Sequence, residues 1–181
     1  MPQTPTKYNN IQVALHWLVA LLVVLMLFMG SVVLAQIPNT DPAKLTALRG
    51  HMVIAVVVFV LTLVRIVWRR ASRQPDHAET GNALLDKLGI AAHFALNILV
   101  LLVAASGIGI ALQAGLPTIV FGGTGTLPPD LSIYLPRLVH GVLTKLLIAL
   151  IALHVAGALY HQFVLKDRLF RRVWFGRVVS K

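Results

Sequence analysis

"LVHGVLTKLLIALIALHVAGALYHQF", residues 138–163, decides how the rest of the chain is read. It is long and apolar, as a membrane-crossing helix is, yet it carries His140, His154 and His161. A helix rises 1.5 Å per residue, so the fourteen residues from His140 to His154 span about 21 Å of height. Fourteen steps of 100° also make nearly four whole turns, which puts both imidazoles on one face at two depths. His161 follows seven residues later, close to the same face. Ionisable side chains inside such a segment are costly and are expected to hold something.

Three further stretches have the same apolar character. The four spans run approximately over 11–35, 51–68, 88–112 and 138–165, and about 20 residues suffice to cross a hydrocarbon core of roughly 30 Å. Of the 181 residues 57% are hydrophobic and only 12% are charged, a surface that water would not solvate. The first stretch is too long for a removable signal peptide and lacks a small-residue cleavage site, so it is expected to stay as a helix. The expectation is an all-α integral membrane protein: a single membrane domain over 1–181, folded as an up-down four-helix transmembrane bundle.

A net charge of +10 raises nucleic acid as a partner, but its distribution argues otherwise. With both termini cytoplasmic, Lys7, Arg65, Arg69, Arg70, Arg73, Lys87, Lys166, Arg168, Arg171, Arg172, Arg177 and Lys181 lie inside. Only Lys44, Arg49 and Arg137 lie outside, and Lys145 falls within a span. Twelve against three is a strong positive-inside bias. The basic clusters abut span ends, where anionic headgroups lie. Membrane lipid, not nucleic acid, is the expected partner of this charge. The chain has no cysteine, which excludes disulfides, thiolate metal sites, iron–sulfur clusters and covalently attached haem.

Between the spans, "QIPNTDPAKLTALRG" is expected to be an outer loop with a short interfacial helix. "RRASRQPDHAETGNALLDK" is a solvated inner loop. "AGLPTIVFGGTGTLPPDLSIYLPR" is a long outer loop that folds back over the membrane face. "KDRLFRRVWFGRVVSK" is a basic, aromatic tail suited to a lipid interface.

The remaining histidines sort by depth. His51 opens the second span on the outside, level with His140. His16 and His93 each lie about five residues into their spans, near the inside, and His16 is level with His154. His51 and Arg65 repeat the fourteen-residue interval. Two neutral imidazoles facing each other across a bundle core can supply both axial ligands of a haem iron. His51 with His140, and His16 with His154, would then hold two b-type haems stacked across the bilayer. Hydrogen-bonded packing and proton relay are the other roles open to such histidines. Zinc is less suited, since it wants four clustered ligands and the spans offer no Asp, Glu or Cys. Arg65, at inner-haem height, would either bind a propionate or snorkel to the headgroups. Lys145 has the same two options on the outer side. Gly30, Gly50, Gly107, Gly109, Gly141, Gly157 and Ser106 would give the room a flat ring needs, or serve plain helix packing.

"NIQVALHWL", "RGHM", "VRIVWR", the "HG" that opens the last span, and "LHVAGALYHQFVLKDRLFRRV" together resemble the bacterial cytochrome b-561 family, over nearly the whole chain. The resemblance implies a four-helix inner (cytoplasmic) membrane cytochrome with two haem b groups. It carries the axial ligands onto His16, His51, His140 and His154. The superoxide oxidase type is the most similar branch. It implies electron transfer from superoxide at the periplasmic side to ubiquinone in the membrane, with His161 at the quinone or its proton supply. Where many relatives have a second basic or imidazole group beside that histidine, this chain has Tyr160 and Gln162. The resemblance gives His93 a polar or propionate contact rather than ligation. Other branches are electron-relay cytochrome b subunits, working between quinone and a separate dehydrogenase or periplasmic redox protein. From a different class, a proton-coupled transporter would use the histidines as relays, but the spans lack carboxylates and helix-breaking prolines.

Overall fold

The computed structural model describes residues 5–176; Arg177 and Lys181, counted above among the inside cations, lie outside the described residues. Every long element among these is helical. Helix α1 runs over Asn10–Phe28 and continues through a π-helical segment, Met29–Leu34. Helix α2 is Pro42–Ala71, α3 is Ala83–Gln113, and α4 is the short Leu116–Val120. Helix α5 is Leu135–Leu159, continued by a second π-helical segment, Tyr160–Leu165, and a 3₁₀ turn at Leu169–Val173. All four long rods are long and apolar enough to cross a membrane.

Local chemistry fixes where they start. Asn9 caps α1 by accepting from the Gln12 amide, while the Gln12 side chain accepts from the Asn9 amide, a reciprocal capping box. Asn82 caps α3 by accepting from Leu84 and Leu85. Asp41 accepts from the Ala43 amide, and Pro42 sits in the first turn of α2, where its missing N–H costs nothing. Helix α2 therefore begins nine residues before His51. The segment expected as a loop with an interfacial helix is the first part of α2 itself. His51 lies well inside the helix rather than opening it.

Each rod presents leucine, valine and phenylalanine outward: Leu21, Val67, Phe94 and Leu153 are each 66–68% exposed. Hydrocarbon is the solvent in which such a surface is stable, because each helix satisfies its own backbone. One apolar core, Val19, Val23, Val58 and Leu147, joins α1, α2 and α5, with Leu96, Leu99 and Val100 of α3 against it. A second core, of Leu48, Ile110, Ala111, Ala114, Leu116 and Val120, seats α4 between α2 and α3. Helix α4 and the long connection after it close one end, the loop end. The other, terminal end joins the start of the α1 rod to the turn that follows α5: Tyr8 donates its amide to the Arg172 carbonyl at 3.1 Å, and Trp17 Nε1 donates to the Val173 carbonyl at 2.8 Å.

Candidate functional site

At the loop end, His51 on α2 and His140 on α5 face each other with ring centres 6.4 Å apart and planes at 69°. Each ring leans on a glycine of a neighbouring rod. A Cβ at Gly30 would stand 3.4 Å from His51 Cε1, and one at Gly107 would stand 3.6 Å from His140 Cε1. His140 Nδ1 lies 3.0 Å from the Val103 carbonyl and 3.0 Å from Ser106 Oγ, while Ser106 Oγ itself donates to Val103 at 2.7 Å. A carbonyl can only accept, so Nδ1 carries the hydrogen of the neutral ring and Nε2 keeps its lone pair. His51 Nδ1 is buried with no hydrogen-bond partner, as is Thr144 Oγ1, one helical turn from His140. Of the other small residues, Gly109 packs on Pro136 and Gly141 on Arg137, and Gly50 and Gly157 face open space.

Two of the loop-end cations are committed. Lys44 Nζ donates to the carbonyls of Leu34 and Ile37, both at 2.7 Å, tying down the end of the α1 rod. Arg49 donates twice to the Val120 carbonyl at the end of α4. Ser132 donates to Asp130 from its hydroxyl and its amide, which holds that exposed carboxyl below the usual carboxylate range. Both lysine and arginine charges remain at this end, but as fasteners rather than as free arms. Lys145 is exposed on α5 and makes no hydrogen bond to a described residue.

The terminal end is built differently. A cavity of about 600 Å³ opens between α1, α2, α3 and α5, within the range of small-molecule and cofactor sites. His16, His93 and His154 all line it, with Arg65, Asn97, Gln12, Trp17 and Trp68. His93 and His154 make a T-shaped contact with ring centres 4.8 Å apart. His16 packs edge-on against Trp17. Arg65 turns inward: its Nη1 donates to Asn97 Oδ1 at 2.7 Å, and Asn97 Nδ2 donates to the His93 carbonyl at 2.7 Å. Gln12 is buried at 8% exposure, and its Nε2 has no partner. Among the described residues, no three His, Cys, Asp or Glu side chains gather closely enough to hold a metal ion by themselves.

His161 does not line this cavity. It lies in the π-helical end of the α5 rod, where Nδ1 stands 2.6 Å from Asp167 Oδ2. The floor of the cavity is nonetheless the turn that follows Asp167, through Leu169, Phe170 and Val173.

Three of these groups escape a reading of sequence. Asn97 follows His93 by four residues, so it shares that helix face, and a lone amide in "AAHFALNILVLL" is the signal. Gln12 reads as a capping residue and is one, yet its amide nitrogen is left over. Asp167 lies beyond the last span by number and returns to it only through the backbone.

Comparison with known proteins gives one consistent result. The pattern describing the prokaryotic cytochrome b561 family matches residues 7–176. Cytochrome b562 of Cereibacter sphaeroides is 31% identical over 96% of this chain and 98% of its own. Cytochrome b561 homolog 2 of Escherichia coli is 27% identical over 94% and 92%. The probable superoxide oxidase CybB of Yersinia pestis is 26% identical over 92% and 95%.

Proposed function

Since the chain belongs to the prokaryotic cytochrome b561 family of membrane electron-transfer proteins, we propose that it is a di-haem cytochrome that oxidises superoxide at the periplasmic side and reduces ubiquinone within the inner membrane. Both termini are then cytoplasmic, and the loop end faces the periplasm. The b-type haem is the cofactor the family implies, and its chemistry is the carriage of one electron at a time.

The observation that carries the reading is the spacing of His51 and His140. With imidazole–metal bonds of about 2.0 Å and ring nitrogens about 1.1 Å from the ring centre, two imidazoles on opposite sides of one ion have centres roughly 6 Å apart. The observed 6.4 Å fits that requirement. Val103 fixes the His140 tautomer that a metal ligand needs, a support that ligating histidines commonly have. At the terminal end, the 4.8 Å between His93 and His154 is too short to admit an ion between the rings. That favours His16 as the opposing ligand of His154, with His93 buttressing the His154 ring. Arg65 and the spare Gln12 amide supply donors for a carboxylate on the cofactor.

Two superoxide ions, one quinone and two protons give two dioxygen molecules and one quinol. The chain's own residues bind at each end, exclude water along the apolar core, and deliver protons at the terminal face, where His161 stands. The likeness to the superoxide oxidase of Yersinia pestis supports this substrate. A second reading has its own support: the Cereibacter relative has the higher identity and is named only as a cytochrome. A relay subunit would dock its donor on the connection 113–137.

The test is a dithionite-reduced minus oxidised spectrum of the detergent-purified protein with haem quantified per chain, followed by addition of superoxide and a water-soluble quinone. Two haems, reduced by superoxide and reoxidised by the quinone, are expected. Two haems that ignore superoxide would move the assignment to the relay, and one haem or none would sink the paired-histidine arrangement.

A further inference from the structure

Asp167 is carried back by the fold to pair with His161 near the end of a membrane rod, where Asp86 also exerts an electrostatic influence, and its placement takes unusual backbone. The α5 rod ends in the π-helical segment Tyr160–Leu165. Lys166 and Arg168, on either side of Asp167, both have positive φ, at 56° and 59°. Side-chain-bearing residues other than Asn and Asp seldom adopt this left-handed conformation, and π-helical turns recur at functional sites. The two reversals fold Asp167 under the rod. Its amide donates to the His161 carbonyl at 3.3 Å, and its Oδ1 accepts from the Leu169 amide at 3.0 Å. Oδ2 is left to meet His161 Nδ1 at 2.6 Å.

Two consequences follow for the ring. A carboxylate accepting from Nδ1–H fixes the ring's orientation and leaves Nε2 as the working nitrogen. Nε2 has no hydrogen-bond partner among the described residues. The His161 side chain is 14% exposed and that of Asp167 is 25% exposed, so the pair borders the terminal face. The same carboxylate caps the turn whose Leu169 and Phe170 floor the cavity, so one residue joins the His161 ring to the cavity floor.

We propose that Asp167 is the positioning residue of a proton-delivery pair, holding His161 so that Nε2–H protonates a quinone oxygen at the terminal end. This rests on the quinone-reducing reading above. The quinone gains two electrons, which originate from two superoxide ions, and two protons. In the step at issue the Nε2–H bond breaks and an O–H bond forms on the quinone. The imidazole is left neutral, Asp167 keeps its charge throughout, and water at the terminal face restores the proton on Nε2. The second proton comes from the same aqueous side.

The experiment compares Asp167→Ala, Asp167→Asn and His161→Phe in the haem-loaded protein, with a water-soluble ubiquinone analogue as acceptor. Haem content per chain reports folding of each variant. Turnover is separated into kcat and KM, and nitrogen-15 NMR of labelled histidine in the reduced protein reports the His161 tautomer, identified as the signal lost in His161→Phe. The expected result is a fall in kcat of about 10- to 100-fold in Asp167→Ala, the cost usual for losing a partner that orients a functional histidine. KM and haem content stay near the parent's, and the Nδ1–H signature disappears. Asp167→Asn, which keeps an acceptor but removes the charge, retains the tautomer and falls between. If His161→Phe lowers kcat but both Asp167 variants match the parent, Asp167 has no such role and the quinone reading stands. If His161→Phe leaves kcat unchanged, the quinone reading fails at this end and the proposal falls with it. An unchanged His161 tautomer in Asp167→Ala overturns the positioning role whatever the turnover.

Discussion

The two ends of the bundle hold their histidines by different means. At the loop end, two rings stand 6.4 Å apart, each on a glycine, with a backbone carbonyl orienting one of them and, among the described residues, no charged side chain donating to either. At the terminal end, three imidazoles, two arginines and three side-chain amides surround a cavity of about 600 Å³. The first is a tight, apolar, nearly symmetrical clamp. The second is roomy and polar, with hydrogen-bonding capacity left unspent. A carrier that only passes electrons has use for clamps like the first. A site that must also accept a second molecule and its protons needs more room and more polar groups, and this asymmetry is the reason for proposing quinone chemistry at the terminal end.

The comparison breaks most readily at the ligands. His140→Ala is expected to lose the loop-end haem alone, and His154→Ala the terminal one, each lowering haem per chain from two to one in a pyridine haemochrome assay. Survival of both haems in His140→Ala would end the pairing of His51 with His140. The next comparison is His16→Ala with His93→Ala. The first is expected to remove the terminal haem. The second is expected to retain it with an altered spectrum, because a ring 4.8 Å from His154 would act as a buttress in the proposed arrangement. The reverse result would make His93 the ligand and His16 the support.

Arg65→Gln tests the charge difference between the ends. A buried cation stabilises a reduced iron over an oxidised one, so its loss is expected to lower the midpoint potential of the terminal haem by tens of millivolts. The loop-end potential should stay unchanged, since Arg65 lines the terminal cavity and donates there to Asn97. Redox titration with both haem bands resolved reads this directly. Equal shifts in both would mean that the arginine acts through the fold rather than through the cavity.

Much of this was legible in the sequence, for identifiable reasons. Apolar length gave four rods, and the fourteen-residue interval in one helix fixed the relative depth of His140 and His154, because rise and rotation within a helix are rigid. What depth cannot give is the rotation of one helix about its own axis relative to its neighbour. His16 and His93 have the same height, so only packing could reveal that His93 is the one in ring contact with His154. The start of α2 was missed because Asp41-Pro42 reads as a loop, whereas Asp41 is a cap and Pro42 belongs in a first turn. The return of Asp167 was hidden more deeply. It depends on left-handed Lys166 and Arg168, and neither residue type announces that conformation.

The smallest expected effect separates the glycines that shelve a ring from one that does not. Gly109 is more crowded than either shelf, since a Cβ there would meet Pro136 at 3.1 Å. Gly109→Ala should therefore lower thermal stability through the α3–α5 contact while leaving both haem potentials in place. Gly30→Ala and Gly107→Ala meet only a ring edge, at 3.4 and 3.6 Å, distances at which a methyl group fits. They should cost little stability, yet each brings its methyl against a loop-end imidazole, so a small shift of the loop-end haem band is expected, larger for Gly30 than for Gly107. A shift of the same size from Gly109→Ala would show that the band follows general loosening between α3 and α5. In that case the glycines would be packing residues, and the clamp would owe its spacing to the helices alone.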